Sequence, residues 1–225
     1  MINLISEQDK KSPFTEAYRT IRTNIQFAAI GKNLKIIMFT SAGNNEGKTT
    51  TVGNLASLLA QSGQRVLIID CDMRNPGQHK IFALPNNGLS NCLVADNVLE
   101  SYVQNTTVSG VALLTSGPVA PNSSELLGSA NMRSLLQQAR EHYDYVLLDA
   151  PPVMPVTDAM VLSSLVDGVV LVIPSREISP ALGKEVKKRL LQVGANILGV
   201  VLNRVEVCHS YGYEYYCSNN EQGKT

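Results

Sequence analysis

The sequence predicts an α/β fold, a mostly parallel sheet with helices on both faces. Three observations predict it. Short runs rich in β-branched and aliphatic residues recur, at KIIMFTS (35–41), RVLIID (65–70), GVALLTS (110–116), DYVLLDA (144–150), GVVLVIPS (168–175) and NILGVVLN (196–203). Several are apolar without alternation, as strands buried on both faces are. Helical patterns lie between most of them, and alternating strand and helix builds a parallel sheet. Finally, a glycine-containing turn, SAGNNEGKTT, joins the first strand directly to a helical pattern.

Taken in order, residues 13–29 place Tyr18, Ile21, Ile25 and Ala28 at helical spacing, with Pro13 suited to the first turn. The patterns TTTVGNLASLLAQSG (49–63) and ALGKEVKKRLLQVG (181–194) each close on a glycine, where a helix C-cap favours one. The run DYVLLDA stops at Pro151 and Pro152, which cannot donate to a ladder. Four of the eight tyrosines, Tyr211, Tyr213, Tyr215 and Tyr216, cluster in SYGYEYYC at 210–217. Tyr211, Tyr213 and Tyr215 alternate as one face of a terminal strand would, yet the polar SNNEQGKT that follows suits a loose tail. The pattern alone leaves both readings open.

At 225 residues and 44% hydrophobic, the chain fits one large domain, able to bury roughly 70% of its unfolded surface. We assign residues 1–206 to that domain and 207–225 to a tyrosine-rich tail. Nineteen basic and nineteen acidic residues cancel, which argues against nucleic acid or an anionic lipid surface as a direct partner. The start, MINLISEQDKK, lacks the apolar core of a signal peptide, and Asp149, Asp158 and Asp167 interrupt the longest apolar regions. The expectation is a cytoplasmic chain without membrane insertion, which a partner recruits to the membrane. Cys71, Cys92, Cys208 and Cys217 are too dispersed for a CxxC-type metal site, and two aspartates flank Cys71. All four read as reduced and non-catalytic.

The turn after the first strand matches [A/G]-x4-G-K-[S/T] with Ala42 at its first position, which in a strand-loop-helix context is a phosphate-binding P-loop. Backbone N–H groups of Gly43, Asn44, Asn45, Glu46, Gly47 and the helix start, with Thr50 beside them, supply partial positive charge to phosphate oxygens. Lys48 reaches the β and γ phosphates, and the Thr49 hydroxyl binds Mg²⁺. The second strand ends LIIDCDMRNP, placing Asp70 and Asp72 two apart and so on one face of an extended chain. Asp149 ends another strand after four apolar residues, as a Walker B acid does. A single aspartate at a strand end is ordinarily a turn former. Three of them beside a P-loop point to Mg²⁺ and the reacting groups.

Together SAGNNEGKTT, LIIDCDMRNP, YVLLDAPP, GPVAPNSSELL (117–127), GVVLNR (199–204) and the terminal tyrosines resemble the bacterial tyrosine kinases of capsule and exopolysaccharide synthesis. The resemblance is to the Gram-positive form, in which kinase and membrane activator are separate chains. It implies a P-loop NTPase fold, ATP and Mg²⁺ as cofactors, and autophosphorylation of the tail between subunits. It further implies an activator of the polysaccharide copolymerase type, an opposing tyrosine phosphatase and a ring-forming homo-oligomer. Asp72 would orient the acceptor phenol, Asp70 and Asp149 would serve Mg²⁺, and Asn203 would lie near the adenine, strand capping being its other reading. EAYRTIR (16–22) is similar to the family's ring-contact segment, and Glu16, Arg19 and Arg22, spaced by three, share one side of the first helix. Asp158 reads as a possible helix cap, and Lys184, Lys187, Lys188 and Arg189 as a solvated face.

Two departures stand out. The family's usual Pro-Gly in the loop is Asn44-Asn45 here, which alters loop stiffness more than chemistry. Related cell-division and partition ATPases carry a lysine five residues before the Walker lysine, where this chain has Gly43. That disfavours the alternative reading, an ATP-driven assembly switch of the ParA/MinD type with little kinase activity.

Overall fold

The computed structural model describes residues 4–95 and 98–205. Its sheet has seven strands in the order β3-β4-β2-β5-β1-β6-β7. These are β1 (Ile36–Ser41), β2 (Val66–Asp70), β3 (Gln104–Asn105), β4 (Val111–Leu114), β5 (Tyr145–Asp149), β6 (Gly168–Pro174) and β7 (Ile197–Asn203). All pairings are parallel except β3 with β4. The six predicted strands are present with their ends within two residues. The polar β3, two residues long, carries no apolar signal and was not predicted.

A period of two divides the strands between two cores. Ile36, Met38, Leu67, Ile69, Val146 and Leu148 face one side, where they meet residues of α7 (Ala130–His142), α8 (Asp158–Ser163) and α9 (Pro180–Gln192). Ile37, Phe39, Val66, Ile68 and Leu147 face the other and meet Val52, Leu55, Ala56 and Leu59 of α3 (Lys48–Gln61). Both faces being covered, the strands are apolar throughout rather than alternating. The amino end of β1 is fixed by Asp167, whose carboxylate accepts the N–H groups of Lys35 and Ile36 at 2.8 Å and pairs with Arg140 at 2.6 Å.

Before the sheet, α1 (Ile5–Gln8) and α2 (Pro13–Ala28) lie along α3. Ser12 caps α2, its hydroxyl accepting the Phe14 N–H, with Pro13 in the first turn. The helix ends one residue short of the predicted span. Ile25 is buried, but Tyr18 and Ile21 are only partly covered. They line a groove of about 600 Å³ between α2 and β7, with Ile21 also packed against the second core. Short helices α4 (Gln78–Phe82), α5 (Leu89–Val94) and α6 (Ser123–Leu127) fill the connections near the carboxyl end of the sheet. The predicted C-cap glycines are left-handed, Gly63 at φ 84° and Gly194 at φ 75°.

Candidate active site

Strand β1 ends in the middle of the sheet, and the chain turns through residues 42–47 into α3. Glu46 shapes that turn from within: its carboxylate accepts the N–H groups of Ala42 at 3.0 Å and Gly43 at 2.8 Å. Burial raises the Glu46 pKa, and these two N–H groups oppose the rise. Gly43 is further fixed by the Ser41 hydroxyl, which donates to its carbonyl at 2.6 Å. Gly47 sits at φ 96°, and a Cβ there would lie 2.0 Å from Asn203 Nδ2. The backbone conformation requires glycine, and an added Cβ would displace the Asn203 amide. Asn203, the last residue of β7, donates to the Glu46 carbonyl at 3.0 Å, so it braces the loop from outside.

The Asn44-Asn45 departure has a geometric outcome. Asn45 takes φ 58°, a left-handed conformation that asparagine tolerates better than most residues. Arg204 donates to the Asn45 carbonyl and forks onto both oxygens of Glu177 at 2.7 Å. Neither Arg204 nor Glu177 was predicted as a site residue. Arg204 follows directly on Asn203, but nothing in the sequence places Glu177 opposite it.

Lys48, Thr49, Thr50 and Asp72 line a cavity of about 340 Å³ with residues 44–47, Asn75, Asn203 and Arg204. Asp70 and Asp149 lie beneath its floor, both fully buried. Parallel pairing of β2 with β5 puts them directly opposite each other. The predicted face-sharing of Asp70 and Asp72 is thus modified by depth: Asp72 lies beyond the strand end, its N–H donating to Asp70 Oδ1 at 3.2 Å. Burial, then the charge of Asp149, pushes the Asp70 pKa well up. Burial raises Asp149 to about 6 against the pull of Lys48. Burial also raises Asp72, opposed by the Asn75 N–H and by Lys48. Burial and the adjacent carboxylates push the Cys71 thiol far above its ordinary value, so it is no nucleophile.

Gln78, absent from the sequence reading, ties these acids together. Its backbone N–H donates to Asp70 Oδ2 at 2.9 Å, and its side-chain Nε2 donates to Asp149 Oδ2 at 2.9 Å and to the Thr49 carbonyl at 3.1 Å. Asp149 Oδ1 is buried without a hydrogen-bond partner. No cluster of three or more His, Cys, Asp or Glu able to hold a metal occurs among the described residues. The oxygens of Thr49 and the carboxylates nevertheless fit Mg²⁺, a hard cation that normally completes its shell with phosphate and water.

Asp158 is more than a cap. Fully buried at the start of α8, it pairs with Arg74 at 3.2 Å and accepts the Ser123 hydroxyl at 2.7 Å and that of Ser124. The DCDMR turn is thereby joined to the PNSSELL segment. Glu16 and Arg19 pair at 2.8 Å on α2, whereas Arg22 turns inward and donates to the Leu58 carbonyl at 3.1 Å. None of the three reaches the cavity. Tyr211, Tyr213, Tyr215 and Tyr216 lie outside the described residues.

A family described as an AAA domain matches residues 34–184. Tyrosine-protein kinase YwqD of Bacillus subtilis is 40% identical over 95% of this chain and 91% of its own length. The crystal structure of the chimerical protein CapA2B2 is 40% identical over 90% of this chain and 89% of that chain, with a TM-score of 0.85. The septum site-determining protein MinD from Pyrococcus horikoshii, solved with Mg-ADP, shares the fold over 77% of this chain and 72% of that one, at a TM-score of 0.64 and 24% identity. Among the described residues no helix is long and apolar enough to cross a membrane. With a phosphate loop of this geometry and relatives of this closeness over nearly its whole length, the chain belongs to the bacterial tyrosine kinases, nucleotide-binding enzymes on a P-loop scaffold.

Proposed function

We propose that this chain is an ATP-dependent tyrosine autokinase that transfers the γ-phosphate to Tyr211, Tyr213, Tyr215 and Tyr216 of a neighbouring subunit. The observation that carries the reading is that Lys48 and Asp72 line one cavity while the Asp72 N–H donates to Asp70 of the buried Asp70–Asp149 pair. The tail of a second copy held in the same assembly would reach an effective concentration of roughly millimolar at that cavity. High intrinsic affinity for the acceptor is then unnecessary.

In the transfer, the phenolic oxygen of the acceptor bonds to the γ-phosphorus, the bond from that phosphorus to the leaving ADP oxygen breaks, and the phenolic proton passes to Asp72. A free phenol, with a pKa near 10, is about one part in a thousand ionised at pH 7. The loose transition state demands little charge from the nucleophile until late, so the main work of Asp72 is orientation. Lys48 offsets charge developing on the phosphate oxygens. Thr49, Asp70 and Asp149 would hold Mg²⁺ directly or through water, and the bound ion would neutralise phosphate charge. Asn203 and Arg204 would border the base.

Each phosphate adds about −1.5 to −2 charges. Several of them on the tail repel one another and the carboxylates of Asp70, Asp72 and Asp149, and loosen a ring built on Glu16, Arg19 and Arg22. Recruitment to the inner face of the cell membrane by a separate copolymerase-type activator, and reversal by a tyrosine phosphatase, would link that cycle to capsular or exopolysaccharide export. The test is radiolabelled ATP with the full chain, with and without an activator segment. Label on tyrosine, lost in Lys48→Met and in the variant with all four tail tyrosines changed to Phe, is the expected result. ATP-dependent assembly without phosphotyrosine would overturn the kinase reading in favour of an assembly switch.

A further inference from the structure

Gln78 contacts both buried aspartates and the first turn of the P-loop helix, yet it is neither a phosphate nor a metal ligand in the reading above. Its position has three features. First, the carboxamide is fully buried, and its Nε2 divides its hydrogens between Asp149 Oδ2 at 2.9 Å and the Thr49 carbonyl at 3.1 Å. Second, its backbone N–H and that of Gly77 grip Asp70 Oδ2 at 2.9 and 3.0 Å, so one two-residue turn holds both carboxylates. Third, that turn is pressed against Thr49 itself: a Cβ on Gly77 would lie 2.7 Å from the Thr49 methyl carbon and 3.2 Å from its hydroxyl oxygen. A carboxylate accepts from several directions. With Oδ2 claimed by the amide, Asp149 Oδ1 is left buried and unpartnered in the fold.

We propose that Gln78 is a positioning residue: its carboxamide fixes the orientation of Asp149 relative to Thr49, and so presets the oxygens that receive the Mg²⁺ of bound nucleotide. The inference rests on the reading of Thr49 and Asp149 as the metal-side residues. An amide suits the task because it donates twice without adding charge. A third carboxylate here would repel the Asp70–Asp149 pair, and an apolar side chain would leave the Thr49 hydroxyl to orient Asp149 without the second donor. Groups that orient a metal-binding side chain typically govern 10- to 100-fold in metal affinity.

The test compares the full chain with Gln78→Leu, near-isosteric and without donors, and with Gln78→Asn, which keeps the amide but is one methylene too short to span both partners. Fluorescent ADP analogue binding is measured in EDTA, and Mg²⁺ is then titrated into each ADP-loaded protein by calorimetry. The expected result is metal-free nucleotide affinity within about twofold of the parent, with Mg²⁺ affinity about tenfold or more weaker in Gln78→Leu and weakened less in Gln78→Asn. Saturating Mg²⁺ restores most of the transfer rate in both. Equal Mg²⁺ affinity in parent and variants overturns the inference while leaving the functional reading intact. A parallel fall in metal-free binding assigns Gln78 to folding alone and also overturns it. A parent whose nucleotide complex takes up no Mg²⁺ overturns both.

Discussion

The Arg74–Asp158 pair supports a stability prediction with an internal control. Asp158 is 0% exposed, and its carboxylate accepts from two of the Arg74 guanidinium nitrogens and two serine hydroxyls, while the Arg74 side chain is 44% exposed. The two truncations are therefore unequal. Asp158→Ala leaves an arginine that can turn to water and one buried Ser123 hydroxyl without its acceptor, a loss of about 2 kcal/mol. Arg74→Ala strands a buried carboxylate on two hydroxyls, a loss of about 3 kcal/mol. The double variant has neither a stranded charge nor a pair to break, so it costs about 3 kcal/mol rather than the sum, a coupling of about 2 kcal/mol. In the parent, burial acts to raise the Asp158 pKa, but Arg74, Ser124 and Ser123 hold it below 3.8. That contribution is present above the unfolded value and is lost as pH falls through the folded one. In Arg74→Ala the folded pKa rises instead, so the penalty is present at neutral pH and fades on acidification. Urea unfolding of the nucleotide-free protein at pH 7 and near pH 4 reads both effects. Additive losses, or a gap between parent and Arg74→Ala that widens in acid, would refute the reasoning.

Other positions give sharper functional outcomes. Gly47→Ala places a Cβ 2.0 Å from Asn203 Nδ2 at a φ of 96°, so nucleotide binding by calorimetry falls below detection while the far-UV circular dichroism stays that of the parent. Asn45→Ala, at φ 58°, lowers stability by about 1 kcal/mol in thermal unfolding, whereas Asn45→Gly stays within a few tenths of the parent. Arg22→Ala leaves the Leu58 carbonyl without its donor and lowers the melting temperature by several degrees. The exposed Glu16→Ala leaves that temperature unchanged, and any change it makes in oligomeric state by ultracentrifugation belongs to subunit contact alone.

The fold was legible because burial on both faces leaves a strong imprint. Ile36 to Phe39 are apolar at every position since even and odd residues enter different cores, and no surface segment of this length has reason to be so. What escaped was short or polar. Gln104 and Asn105 pair with β4 through their backbones only in the sense that matters to the ladder, and a two-residue strand has no periodicity to detect. The partial cover of Tyr18 and Ile21 escaped for a related reason. Helical spacing identifies an apolar stripe, not what covers it, and here the stripe borders an open groove along the β7 edge.

The site was legible in its chemistry and not in its depth. Lys48 and the loop were identifiable because phosphate binding needs those residue types in that order, Asp72 lines the same cavity, and a register match between β2 and β5 brought Asp70 against Asp149 without further specification. The supporting groups have no such signature. Gln78, Glu177 and Arg204 act through contacts set by tertiary closure, at sequence separations of 71 for Gln78 with Asp149 and 159 for Arg204 with Asn45. These residues also decide what the recognisable ones can do. An aspartate pair brought this close and wholly buried would prefer to share a proton, since burial raises both pKa values and the charge of Asp149 raises that of Asp70 further. Each amide donated by Gly77 and Gln78 favours the ionised form instead. In the proposed function a metal-nucleotide complex bound at this pair would relieve that repulsion as well as form contacts, and the residues least visible in the sequence, Gly77 and Gln78, would set how far the balance lies toward the cation.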